Sequence, residues 1–208
     1  MPPRGHYLAW EAGALAGVSG QKIGQWARRG YIRASQSEEI PKVYSFQDIA
    51  EAMVVHDLLD HKVTHREIRH ACRALHEYGD WPLTEAPLKV ATTGKTRLRV
   101  QRGEETYDVG RGFWQALVAP EHLTEIRSQL RRGGWAVREL PDLEHIQVDP
   151  DLLSGRPVIR GHRIAAQEVA ESAEDTNGMV DLVEGYGLHP DEIYDARRWW
   201  TKVQRLAA

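Results

Sequence analysis

The chain has 208 residues, a formal net charge of −3, 41% hydrophobic and 27% charged side chains, and one cysteine, Cys72. That balance is ordinary for a soluble globular protein. It excludes a spanning helix, because no apolar run approaches the ~20 residues a bilayer needs, and a lone thiol excludes an internal disulfide or a multi-cysteine metal site. Met1 to Trp10 has no apolar core of the signal-peptide kind, so a cytoplasmic protein with no membrane partner is expected.

The net charge hides a pattern. Residues 1–80 carry ten basic and ten acidic side chains, residues 81–140 ten and seven, and residues 141–208 seven and thirteen. Ala12 to Ser37 contains Lys22, Arg28, Arg29 and Arg33 and no acid. A local basic footprint of this kind matters more for nucleic acid than the global value.

Tyr7 to Ile32 reads as two helices and a tight turn. Leu8–Ala16 is the first helix, with Gly17-Val18-Ser19 as the turn. Ser19 suits an N-cap, since its hydroxyl can accept from an open amide. Gln21–Arg29 is the second helix and Gly30 its stop. Ile23, Trp26 and Ala27 form its apolar stripe. Gln21, Lys22, Gln25, Arg28 and Arg29 occupy its other faces, and these are side-chain types that read base edges or hold phosphate. Arg33–Tyr44, with Pro41, suits a wing. Ser45 caps a third helix, Phe46–His61, and the capping box Thr64-x-x-Glu67 opens a fourth that runs to about Tyr78.

The order of these pieces resembles the winged helix-turn-helix of MerR-type regulators over roughly residues 6–78. The matching residues are Val18-Ser19, Ile23, Trp26, Arg29-Gly30-Tyr31-Ile32 and Tyr44-Ser45-Phe46-x-Asp48-Ile49. Val43 stands where the family often has arginine. The resemblance implies DNA contacts from Ser19, Gln21, Lys22, Gln25, Arg28 and Arg29, with Arg33, Lys42 and Tyr44 from the wing.

Trp81–Pro87 reads as a linker. Lys89–Thr93, Thr96–Arg102 and Thr106–Val109 read as three short antiparallel strands. Gly94-Lys95-Thr96 lacks the upstream glycine of a phosphate loop. Arg97 and Arg99 share one strand face, which reads as solvated. Leu123–Arg132 is expected to be helical before Gly133-Gly134.

Ile146 to Pro150 reads as a short strand and turn. The stretch Gly155-Arg156-Pro157-Val158-Ile159-Arg160-Gly161-His162-Arg163-Ile164 suits neither regular helix nor strand. Val158-Ile159 would anchor it to a core and leave Arg156, Arg160 and Arg163 free. Together these residues resemble the signature of a small helical domain found in VapB-like antitoxins of bacterial toxin–antitoxin operons, over roughly residues 141–206. His162 stands where that family usually has threonine, and Ala165 where it often has proline. The resemblance implies a short strand pair, three helices, and a PIN-type ribonuclease toxin as partner. Three helices also follow from the pattern: Ala165–Ala173, Gly178–Tyr186 and Pro190–Leu206. Ile193, Ala196, Trp200 and Val203 form the stripe of the last, which leaves Trp199 outside it. With Arg197, Arg198 and Lys202, Trp199 is a candidate partner contact, as are the loop arginines.

Ten histidines raise the question of a metal site. His61 and His65 are four apart, but a helix start falls between them, and no HExxH occurs. The clustered carboxylates read as surface charge. No catalytic residue, metal or cofactor is expected. The fold expected is mainly α with a small antiparallel β segment: a winged helix-turn-helix over 1–80, a β-rich middle over 81–140, and a helix-turn-helix-like three-helix domain over 141–208. The function expected is a homodimeric antitoxin that binds operator DNA and neutralises the toxin. The alternative is a MerR-like regulator with no toxin partner.

Overall fold

Local signals set the helix ends of the N-terminal half. A computed structural model describes residues 2–90, 98–109, 112–113, 138–140 and 142–207. Helix α1 (Ala9–Ala16) stops at Gly17 and α2 (Gly20–Arg29) at Gly30, both in the left-handed conformation. The Ser19 hydroxyl accepts from the Lys22 amide at 3.3 Å. Ser45 and Thr64 cap α3 (Phe46–Asp60) and α4 (His65–Ala74), in reciprocal boxes with Asp48 and Glu67. Helix α4 ends earlier than its periodicity suggests, and a 3-10 turn, His76–Tyr78, completes it. The α1–α2 crossing is close: a Cβ on Gly20 would lie 2.9 Å from the Trp10 Cα, tighter than side chains tolerate.

The stretch expected as a linker instead folds into a short helix, α5 (Pro82–Glu85). A buried acid on α3 explains it. The two carboxylate oxygens of Glu51 accept from the Leu83 and Thr84 amides at 2.8 and 2.9 Å, closing the open N-terminal turn. Four strands follow as an antiparallel meander: β1 (Leu88–Val90), β2 (Leu98–Arg102), β3 (Glu105–Asp108) and β4 (Gly112–Phe113). Arg99 is not on a solvated face. It is buried opposite Asp108, with which it makes a 2.9 Å ion pair across β2 and β3. Gly94-Lys95-Thr96, Arg97 and the helix expected over Leu123–Arg132 lie outside the described residues.

The C-terminal sheet has the order β5 (Arg138–Leu140), β6 (Leu143–Val148), β7 (Val158–Ile159), all antiparallel. Three helices pack beside it: α6 (Ala166–Ser172), α7 (Thr176–Val180), which widens into a π turn over Asp181–Gly185, and α8 (Pro190–Ala207). The molecule is thus mainly helical with small antiparallel sheets. Trp199 is 3% exposed, which corrects its reading as a partner contact. Helix α8 packs against α6, β6 and α1 together, so its apolar face is wide enough for both tryptophans. Trp199 fills the interior, and Trp200 meets Trp10 edge-on at 6.1 Å.

The two ends of the chain are joined by an N-terminal arm. Tyr7 exchanges backbone hydrogen bonds with Tyr44 at 2.9 and 2.8 Å, which ties the arm to the wing base. The His6 amide donates to the Ser154 carbonyl at 2.8 Å, and Arg4 pairs with Asp151. Gly155, at φ +93°, lies directly against the Tyr7 ring, and a Cβ there would overlap the phenol. Buried side chains from Tyr7 to Val203 form one continuous core.

Candidate nucleic-acid interface

Helix α2 is sharply two-sided. Ile23 and Trp26 are 0% and 3% exposed and anchor it. Gln21, Lys22, Arg28 and Arg29 are exposed and Gln25 is half-buried. The backbone donors and acceptors of this helix bond one another, so its long polar side chains project outward.

The wing is a narrow loop closed by Ser37 and Val43, which bond each other at 2.9 and 3.1 Å. Its tip presents Glu38, Glu39 and a 95%-exposed Ile40, and Lys42 is half-buried at its base. Tyr44 does not belong to the contact surface. It is 1% exposed, and its burial follows from the pairing with Tyr7. Arg33 is exposed but ion-paired with Asp80.

Helix α4 adds to this surface what sequence reasoning missed. His65 stacks on Tyr31 with ring centroids 5.7 Å apart, and the Tyr31 hydroxyl donates to the His65 carbonyl at 3.1 Å. That seats the start of α4 beside the end of α2. The His65 pKa is held below its usual value, first by burial and then by the positive charges of Arg29 and Arg69. Arg66, Arg69 and Arg73 are all exposed. Their i, i+3, i+7 spacing opposite Ile68 and Ala71 was the available signal.

Two buried acids hold the surface from beneath. Asp48 accepts from the Ser35 amide and hydroxyl at 2.8 and 2.7 Å, from the Ser45 amide at 2.8 Å and from the Trp81 indole at 2.8 Å. It thereby ties the wing, the α3 cap and the α5 segment together. Glu51 is pushed up to about 8: burial outweighs the stabilising bonds from Leu83 and Thr84. Burial first, and then the nearby Glu51, push the Cys72 thiol up to about 12. A thiol in that state is a poor nucleophile.

The arginine loop faces its own protein. Val158 and Ile159 are fully buried. Arg156 pairs with Glu168 at 3.0 Å, and Arg160 donates through Nε to the Glu144 carbonyl at 2.7 Å. The expectation that both stay free is therefore corrected: β6 and α6 bring acceptors to them. Burial raises the Glu11 pKa on the facing α1, against a bond from the Leu8 amide and the charge of Arg156. Arg163 and Arg197 are exposed. Arg198 donates to the Asp142 carbonyl at 2.7 Å, and the Lys202 ammonium lies 6.0 Å from the Trp199 ring centroid. Among the described residues no three His, Cys, Asp or Glu side chains converge as a metal site would require. No described helix is long and apolar enough to cross a membrane.

A two-helix unit with an exposed basic second helix and a short wing defines a winged helix-turn-helix, a class that reads DNA through the major groove. Residues 9–75 match the family of MerR HTH family regulatory proteins, and residues 146–199 match a family described as protein of unknown function (DUF433). The chain therefore carries a MerR-family helix-turn-helix domain at its N-terminus and a DUF433 domain at its C-terminus. Comparison with curated proteins gives no match. Among solved structures, the X-ray crystal structure of Rv2018 from Mycobacterium tuberculosis is similar at a TM-score of 0.57 and 18% identity, covering 95% of this chain and 97% of that one. At that identity the likeness is one of fold.

Proposed function

We propose that the protein is an operator-binding antitoxin: a homodimer whose MerR-like half represses its own promoter and whose C-terminal half neutralises a PIN-type ribonuclease. The observation that carries the DNA reading is α2, with its apolar side sealed by Ile23 and Trp26 and Gln21, Lys22, Arg28 and Arg29 exposed. Arg66 and Arg69 on α4 extend that basic face for phosphate contacts. Affinity for a promoter fragment should fall steeply with salt. Equal affinity for promoter and unrelated DNA would remove the operator reading.

The antitoxin reading rests on the resemblance of the Gly155–Ile164 loop, with Arg163 at its exposed tip. Expressing the product of the neighbouring gene alone and then with this protein tests it through cell growth. Toxicity relieved by co-expression supports it, and toxicity without relief ends it. A plain MerR-like regulator is the second reading. It is favoured by the internal partners of Arg156, Arg160 and Arg198, which draw charge away from any toxin surface.

A further inference from the structure

The C-terminal half presents two surfaces of opposite charge, each with an apolar centre. From Ile164 to Leu188 the sequence carries six acids and no Lys, Arg or His. On that stretch Val180, Val183 and Tyr186 are 47, 40 and 61% exposed. They follow one another at every third position along α7 and its π turn, with exposed Asp181 and Glu184 beside them. Large apolar side chains left in water on a run of this kind mark a contact surface.

The second surface is a groove of about 670 Å³ along α8, reaching Gly17 of the helix-turn-helix. Tyr194, 62% exposed, and Leu206 supply its apolar part. Arg197, Lys202 and Arg205 supply its rim, and among the described residues no acid lines it. The groove therefore suits an acidic ridge with an apolar crest, and the same chain carries one.

We propose that the protein self-associates by seating the Val180–Tyr186 ridge of one copy in the α8 groove of a second copy, twice, about a two-fold axis. Both halves of the contact lie on every chain, so a two-fold arrangement makes the contact twice and closes the assembly, whereas a head-to-tail arrangement would grow into a filament. The charged rims set register and favour encounter, and the apolar crests supply the burial. Nucleic acid fits the groove less well, because phosphate makes no use of Tyr194 and Leu206 and leaves the ridge uncovered. The purpose of the dimer rests on the DNA reading, since two winged units read paired half-sites.

Charge reversal tests it. One variant carries Asp181→Lys with Glu184→Arg, so its ridge is basic. The other carries Arg197→Glu with Arg205→Glu, so its groove is acidic. Sedimentation velocity on the full chain should show a dimer for the wild type and at least roughly tenfold weaker association for each variant alone. An equimolar mixture of the two should recover the dimer, because each ridge then meets a groove of opposite sign. Recovery also shows that both variants fold. A monomeric wild type, variants that stay dimeric, or a mixture of folded variants that stays monomeric would each overturn the proposal. So would an acidic-groove variant that remains dimeric and loses DNA, which would assign the groove to nucleic acid. Half-site binding measured separately on the monomeric basic-ridge variant keeps the two readings apart. Its loss, when the wild type also fails to bind, sinks the operator reading and leaves the association result standing.

Discussion

Arginine crowds two regions of this molecule, and each uses it differently. On α2, Arg28 and Arg29 stand exposed on a helix whose backbone groups bond one another. On the Gly155–Ile164 loop, Arg156 holds Glu168 and Arg160 holds a backbone carbonyl of Glu144. Packing against β6 and α6 brings acceptors to the loop arginines, and a guanidinium with five donors is well suited to meet them. Charge that is equivalent in sequence is therefore available for a ligand in one region and structural in the other.

The sharpest way to break this contrast is Gly155→Ala. The position combines φ +93° with direct contact against the Tyr7 ring, so a methyl group there meets both backbone strain and overlap. Thermal unfolding should show a loss of about 3 kcal/mol or more. A melting temperature unchanged by the substitution would mean that the loop is not clamped to the arm, and the comparison would lose its structural side.

Next in size is a pH effect beneath the α2 surface. Glu51 is raised from 4.5 to about 8, so the folded state holds its proton over a range where the unfolded state releases it. Its contribution is complete below about pH 4.5 and is lost as pH rises through about 8. Denaturation between pH 5 and 8 should show stability falling with pH, by at most about 1.4 kcal/mol per unit from this group. Glu51→Gln should flatten that slope. A slope that persists in the variant would place the pH dependence elsewhere.

The N-terminal half was the more legible in sequence because its signals are local. Ser19, Gly30, Ser45 and Thr64 mark helix ends within three or four residues of the groups they satisfy. What escaped was long-range. Glu51 meets Leu83, and Asp48 meets Trp81, across more than thirty residues, so α5 looked like a linker. Tyr44 looked like a wing contact until Tyr7 covered it. Trp199 joins Trp200 on the packed side of α8, because the neighbours of that helix, and not its own periodicity, decide how wide its interior face is. The resemblance gave the MerR-type domain, and it carried no information on which loop arginines had internal partners.

On α2 the contrast is sharpened by affinity. Arg28→Ala or Arg29→Ala should weaken promoter binding by ~1–3 kcal/mol if the side chain reads a base, and change folding stability by less than about 0.5 kcal/mol. A side chain that touches phosphate alone should instead lower the salt slope by about one. Fluorescence anisotropy over a salt series separates these outcomes. Full affinity in both variants would move the DNA surface away from α2.

The smallest effects lie within the loop, where two arginines three residues apart should behave unlike each other. Arg160 is half-buried and makes a charge-assisted bond to the Glu144 carbonyl, so Arg160→Ala should cost about 1 kcal/mol in denaturant unfolding. Arg163 is exposed at the loop tip, so Arg163→Ala should change stability by less than about 0.5 kcal/mol. The co-expression assay then reads the other property. If the tip contacts the toxin, Arg163→Ala weakens growth rescue in a protein of unaltered stability. If rescue falls only in Arg160→Ala, the loop acts through its folding and the toxin contact lies elsewhere.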